Sequence, residues 1–176
     1  MNGKRAAATA MSALALVGFA TSCEQSSNGE ATVDPAPAIG YHPCDDLPNE
    51  AIKEARIDAR PPSRSNHEST SNFACMFTSH DPYYGITIAA RGDTIEDIRR
   101  DDRFEVVNET EIGGRRAVVG LFLGGSCSVA VDIAPGVLDF DILYSEGSPE
   151  FTTANAACDQ ATKVATTLAP YFPDHL

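Results

Sequence analysis

The chain has 176 residues, with 25 Asp and Glu against 13 Lys and Arg and a formal charge of −12. That excess of carboxylates argues against nucleic acid as a partner, because phosphate binding draws on Lys and Arg. Its five cysteines include no C-x-x-C pair, which argues against both a thioredoxin-type redox motif and a zinc ribbon.

Lys4 and Arg5 precede an uncharged apolar run, Ala6 to Phe19, and the small residues Ala20-Thr21-Ser22 close on Cys23. At about 1.5 Å per residue the run is short for a bilayer span, and polar sequence follows it, so residues 1–22 read as an export signal. Small residues running into a cysteine resemble the lipobox of bacterial lipoproteins, in which that cysteine receives a diacylglyceryl group and becomes the mature N-terminus. Ala20 stands where lipoboxes usually carry Leu, Val or Ile. Ala20 and Ser22 also satisfy the small-x-small rule of a plain secretory cut, which is the alternative. Acylation of Cys23 would explain an odd cysteine count in an exported chain and leave Cys44, Cys75, Cys127 and Cys158 to pair. After Cys23, residues 24–40 are rich in Ser, Glu, Pro, Ala and Gly and read as a disordered tether to the membrane.

A single domain is expected over residues 41–176. Asp45 and Asp46 can cap backbone N–H groups, Pro48 suits a first turn, and Ala51, Ile52, Ala55 and Ile57 supply a narrow apolar stripe, so a short helix follows Cys44. Ala59 to Ser71, with two prolines and no periodicity, reads as a surface loop. From Asn72 the period becomes two. Phe73, Cys75 and Phe77 share one face of a strand, and after a turn at His80-Asp81-Pro82, Ile86, Ile88 and Ala90 share one face of the next. Asp93-Thr94-Ile95-Glu96 has capping-box character and opens a helix that turns Ile95 and Ile98 inward. Phe104, Val106 and Val107 start a third strand, Gly113-Gly114 turns the chain, and Ala117 to Leu123 forms a fourth.

Between Ser126 and Tyr144 the alternation predicts another hairpin. Cys127, Val129, Val131 and Ile133 lie on one face of the first arm, and Leu138, Phe140, Ile142 and Tyr144 on one face of the second. A two- or four-residue loop around Pro135-Gly136 pairs odd with even positions, so Val131 is expected opposite Phe140 and Ile133 opposite Leu138. That register sets Asp132 opposite Asp139 with Asp141 beside them. Like charges so placed repel, and water, Arg115, Arg116 or a bound cation would have to offset them. Asp132, Asp139 and Asp141 are thus a weak candidate metal cluster, weak because calcium sites generally draw six to eight oxygens from an organised loop and none is evident.

The last element predicted is a helix from about Glu150 to Leu168. Ala154, Ala157, Cys158, Ala161, Val164, Ala165 and Leu168 follow one face of it, and Pro170 ends it. Cys158 lies on that face and Cys127 on the inward side of its strand, so they are expected to bond, leaving Cys44 to Cys75.

These residues resemble a known family. The lipoprotein-like signal, His42-Pro43-Cys44 before a short helix, Cys75-Met76-Phe77 in a strand, Cys127-Ser128-Val129-Ala130-Val131 opening a late strand, and the Ala157 to Ala165 stretch of the final helix are similar to actinobacterial lipoproteins of the domain of unknown function 3558 family. Phe77 stands where a tryptophan is common, and Ala157 where a second cysteine often precedes Cys158. The resemblance implies an origin in the cell envelope and carries over no catalytic residues.

Little else points to chemistry. Gly124-Gly125-Ser126-Cys127-Ser128 lacks the last glycine of a nucleophile elbow and precedes a strand, so turn glycines explain it. His42, His67, His80 and His175 have no metal-ligand spacing. Tyr83-Tyr84 is a mild pointer to a contact surface, with local packing the commoner role. The expected architecture is α+β, an antiparallel sheet of about six strands with the C-terminal helix on one face, and by analogy a PsbP-like arrangement. The expected function is a non-enzymatic lipoprotein without a cofactor, lipid-anchored on the extracytoplasmic face of the cell membrane and binding an envelope protein or small ligand. An exported hydrolase with a Ser/His/Asp site and a structural accessory subunit are the alternatives, and a histidine within reach of Ser and Asp would favour the first of them.

Overall fold

The structure, a computed structural model, describes residues 36–176, so the predicted signal, Cys23 and residues 24–35 of the predicted tether lie outside the described residues. Packing begins upstream of Tyr41, since Ile39 is buried and its N–H donates to the Thr70 carbonyl at 2.8 Å. Two short helices, α1 (Pro43–Asp46) and α2 (Asn49–Glu54), stand where a single one is expected. The break has a local cause. Leu47 precedes Pro48, whose ring disfavours helical backbone in the residue before it, and Leu47 is extended at ψ 122°. His42 caps α1, its Nδ1 accepting from the Cys44 N–H at 3.1 Å, while Asp46 accepts from the His42 N–H at 2.6 Å. Asp45 instead accepts from the Arg64 guanidinium.

Strand β1 (Ser63–Arg64) lies within the predicted loop, and its two exposed polar residues give no apolar alternation to read. Strands β2 (Asn72–Thr78) and β3 (Gly85–Arg91) form the expected hairpin, with Cys75 opposite Ile88 and Phe77 opposite Ile86. Helix α3 (Ile95–Arg100) starts at a reciprocal cap between Thr94 and Asp97 and buries Ile95 and Ile98. Strands β4 (Phe104–Ile112) and β5 (Arg115–Phe122) turn at Gly113-Gly114, both at positive φ. Strands β6 (Ser126–Ile133) and β7 (Gly136–Leu143) follow, then α4 (Ala154–Leu168) and a 3₁₀ turn, Ala169–Tyr171. Helix α4 starts later than expected because Phe151 turns into the core and Thr153 supplies the cap.

All seven strands join one antiparallel sheet in the order β1-β2-β3-β7-β6-β5-β4. The strand beyond the expected six is the two-residue β1. On the inner face, Phe77, Ile88, Phe140, Val129 and Val131 pack beneath Ala157, Ala161, Val164, Ala165 and Leu168 of α4. The small side chains of α4 let the helix lie close to β6 and β7. Disulfides Cys44–Cys75 and Cys127–Cys158 fasten α1 to β2 and β6 to α4, the second as expected from the faces and the first as the pair that remains.

The β6–β7 register differs from the expected one by two residues. Val131 faces Leu138, Val129 faces Phe140, and Ile133 faces Gly136, so the connecting pair is Ala134-Pro135 rather than Pro135-Gly136. Gly136 belongs to the strand because β7 runs tightly along the end of β3, where a Cβ on Gly136 would stand 1.8 Å from the Arg91 carbonyl oxygen. A two-residue slip leaves every side chain on its face, so the apolar partition survives. The opposition of Asp132 and Asp139 does not, since Asp132 faces Val137 and Asp139 faces Ala130.

Candidate functional site

The outer face of the sheet divides in two. Over β4, β5, β6 and the start of β7 it carries a second small core of Ile95, Ile98, Phe104, Val118, Ala130 and Val137, with Phe122 against it. Over β2, β3 and the rest of β7 it is open among the described residues. Pairing sets Met76, Thr87, Asp141 and Ser128 in one row across β2, β3, β7 and β6, and Ala74, Ala89, Asp139 and Ala130 in the next. These rows floor three adjoining hollows that share Thr87. One, of about 410 Å³, holds Asn72, Ala89, Arg91, Asp139 and Asp141; one, of about 620 Å³, holds Met76, Tyr83, Asp141, Leu143, Glu150 and Phe151; one, of about 350 Å³, lies toward β1 and His67. The sizes fall in the range of small-ligand pockets, roughly 300–1,000 Å³.

The charges of the open half are organised by Asp139, which is 5% exposed. It accepts from Arg91 Nη1 at 3.2 Å and from the Ser128 hydroxyl. Arg91 also donates to Asp93 through Nε at 2.9 Å and Nη2 at 2.6 Å. Burial works against the Arg91 cation, yet Asp139 and Asp93 outweigh it and raise its pKa further. Asp141 is placed differently. Burial, and then the charge of Asp139, push its carboxyl up to about 6, and the Ser126 hydroxyl and the field of Arg91 offset only part of that rise. Arg91 gives its side-chain donors to Asp93 and Asp139, leaving Asp141 at the junction of two hollows.

The predicted acidic group is therefore split. Asp132 accepts from Arg116 at 3.1 and 2.7 Å, and Arg116 also reaches Glu96 at 3.0 Å. Arg116 is one of the two arginines expected as possible offsets. Arg115 instead donates to the Pro173 carbonyl at 2.8 Å, and the cation beside Asp139 is Arg91. Among the described residues, no group of three or more His, Cys, Asp and Glu side chains is placed to hold a metal ion.

The histidines are dispersed. His42 Nε2 lies 2.8 Å from Glu68 and stacks on Phe73, and His80 Nε2 lies 2.9 Å from Asp58. Gly124 and Gly125 take positive φ at the turn, and Ser128 is 1% exposed with its hydroxyl donated to Asp139. Among the described residues, no hydrogen bond joins a histidine ring to a serine hydroxyl. Tyr84 is buried edge-on to Phe151, its hydroxyl accepting from Gln160 at 2.7 Å; Tyr83 stays exposed at the rim of the hollow, under Arg60. Arg91 and Thr87 carried no signal as site residues. The parity of β3 and β7 gives each its face, but only the adjacency of those strands brings Arg91 to Asp139, 48 residues away.

A family described as "Protein of unknown function (DUF3558)" has a model that matches residues 17–171. No curated protein and no solved structure matches the chain.

Proposed function

The chain belongs to the DUF3558 family, and on that premise we propose an exported lipoprotein, anchored through Cys23 on the extracytoplasmic face of the membrane, that binds a small ligand or an envelope protein rather than transforming a substrate. The open half of the outer sheet face is its binding surface. One observation carries this reading: Met76, Tyr83 and Leu143 are 53, 47 and 70% exposed around contiguous hollows whose inner polar groups, Arg91, Asp93, Asp139 and Ser128, already satisfy one another. Large exposed apolar groups beside preorganised polar ones mark recognition surfaces. The family resemblance and the Lys4 to Cys23 stretch support export and lipidation.

Two measurements test the reading. Intact mass of the native product should show an acylated Cys23. A photo-crosslinker at Thr87 should label a partner or lipid in native membranes, and the same group at Thr166, exposed on α4, should not. Equal labelling from both positions would place the binding surface elsewhere.

A further inference from the structure

The largest of the three hollows joins apolar walls to two carboxylates. Met76, Tyr83, Leu143 and Phe151 line it, Asp141 stands on its floor, and Glu150 stands at its rim. Every element around Asp141 can be named. On β7 its outer-face neighbours are Asp139 and Leu143; on β3 Thr87 lies opposite and Arg91 lies beyond it; on β6 Ser128 lies opposite, with Ser126 next along that face; the loop after β7 contributes Glu150. Of the cations, Arg91 is spent on Asp93 and Asp139, two carboxylates for one guanidinium, and Arg60 lies over the Tyr83 ring at the rim. With Asp141 and Glu150 added, the surroundings are net negative. A ligand anion entering here would meet carboxylates that no cation directly pairs.

We infer that this hollow takes an amphiphilic amine, its ammonium group on the Asp141 carboxylate and its apolar chain along Met76, Leu143, Tyr83 and Phe151. The inference rests on the binding surface proposed above and adds the chemical class of its occupant. Charge complementarity selects the cation, because an ammonium group supplies the direct ion pair that Arg91, bonded to Asp93 and Asp139, does not make with Asp141. The exposed side chains around Asp141 select the apolar tail. Ligand ionisation and carboxyl ionisation then set a pH window. Asp141 titrates near pH 6, so binding strengthens as pH rises through that value.

The test titrates the full chain with decylammonium, decanoate and 1-decanol below their aggregation limits, by calorimetry and by protein NMR. At pH 7.5 decylammonium should bind about tenfold or more tighter than decanoate, with shifts at Met76, Thr87 and Leu143, and that preference should shrink severalfold by pH 5. Asp141→Asn should abolish the preference for the cation over decanol, and Leu143→Ala should weaken all the probes that bind. If the three probes bind alike, or if the preference survives Asp141→Asn, the amine assignment falls while an apolar hollow that binds ligands stands. If no probe shifts these residues yet Thr87 still crosslinks in membranes, the amine assignment falls and the binding surface remains. If neither occurs, both fall.

Discussion

The two halves of the outer sheet face begin from the same design and end differently. Each has a floor of small residues, Gly120 and Ala130 in one and Ala74 and Ala89 in the other. Over the first, Phe104 lies so close that a Cβ on Gly120 would stand 2.2 Å from its ring, and α3 adds Ile95 and Ile98. Among the described residues no helix covers the second, and Met76 and Leu143 stand around it. A low floor in a sheet is thus room for an occupant. The described residues fill one such room and leave the other to solvent or a ligand.

That contrast can be broken by substitution. The largest effect is expected in the filled half, where Ile98→Ala removes a side chain that is 3% exposed and should cost about 2–4 kcal/mol in urea unfolding. A cost under about 1 kcal/mol would mean that α3 does not form a core. Next comes the boundary. Arg91→Ala leaves Asp139 buried with only Ser128 as partner, and should cost about 2–3 kcal/mol at neutral pH. Adding Asp139→Asn should restore part of that loss, since no uncompensated charge then remains.

A smaller effect has the opposite sign. The carboxyl of Asp141 titrates near pH 6 in the folded chain, above its ordinary value of 3.8, so folding favours the protonated form. Its contribution is fully present below about pH 4 and is lost as pH rises through about 6. Asp141→Asn should therefore stabilise the protein by on the order of 1–2 kcal/mol at pH 7.5 and by nothing at pH 4. Thermal melts of both proteins across that range decide it. The smallest effect is expected in the open half, where Leu143→Ser should change stability by no more than about 0.5 kcal/mol. A larger loss would show that Leu143 packs against something in the free protein.

The inner face was legible in the sequence, because Phe73-Cys75-Phe77, Ile86-Ile88-Ala90 and the apolar positions of β6 and β7 alternate cleanly and burial acts on that alternation directly. The same parity placed Cys127 and Cys158 on facing surfaces. Register was harder to read. Gly136 looks like a turn residue, and its place in the strand follows from the Arg91 backbone beside it, which is a tertiary fact. Strand β1 left no pattern, and the split between α1 and α2 was written only in Leu47-Pro48. The site was the least legible part. Asp132, Asp139 and Asp141 share an outer face, but whether they cluster depends on a two-residue slip and on β3 lying beside β7. Local sequence specifies neither.

The two crosslinks also set the route that a mechanical load takes through the chain. Tension applied at the two ends crosses from Cys44 to Cys75 and from Cys127 to Cys158, short-circuiting a separation of 31 residues at each. At about 3.3–3.6 Å per extended residue, on the order of 200 Å of chain is shielded from the pull until a reductant opens the bonds. The shielded spans include β1, most of β6 and all of β7. A stretched oxidised molecule therefore keeps Asp139, Asp141 and Leu143 on slack polypeptide, and single-molecule extension before and after reduction would reveal the hidden length.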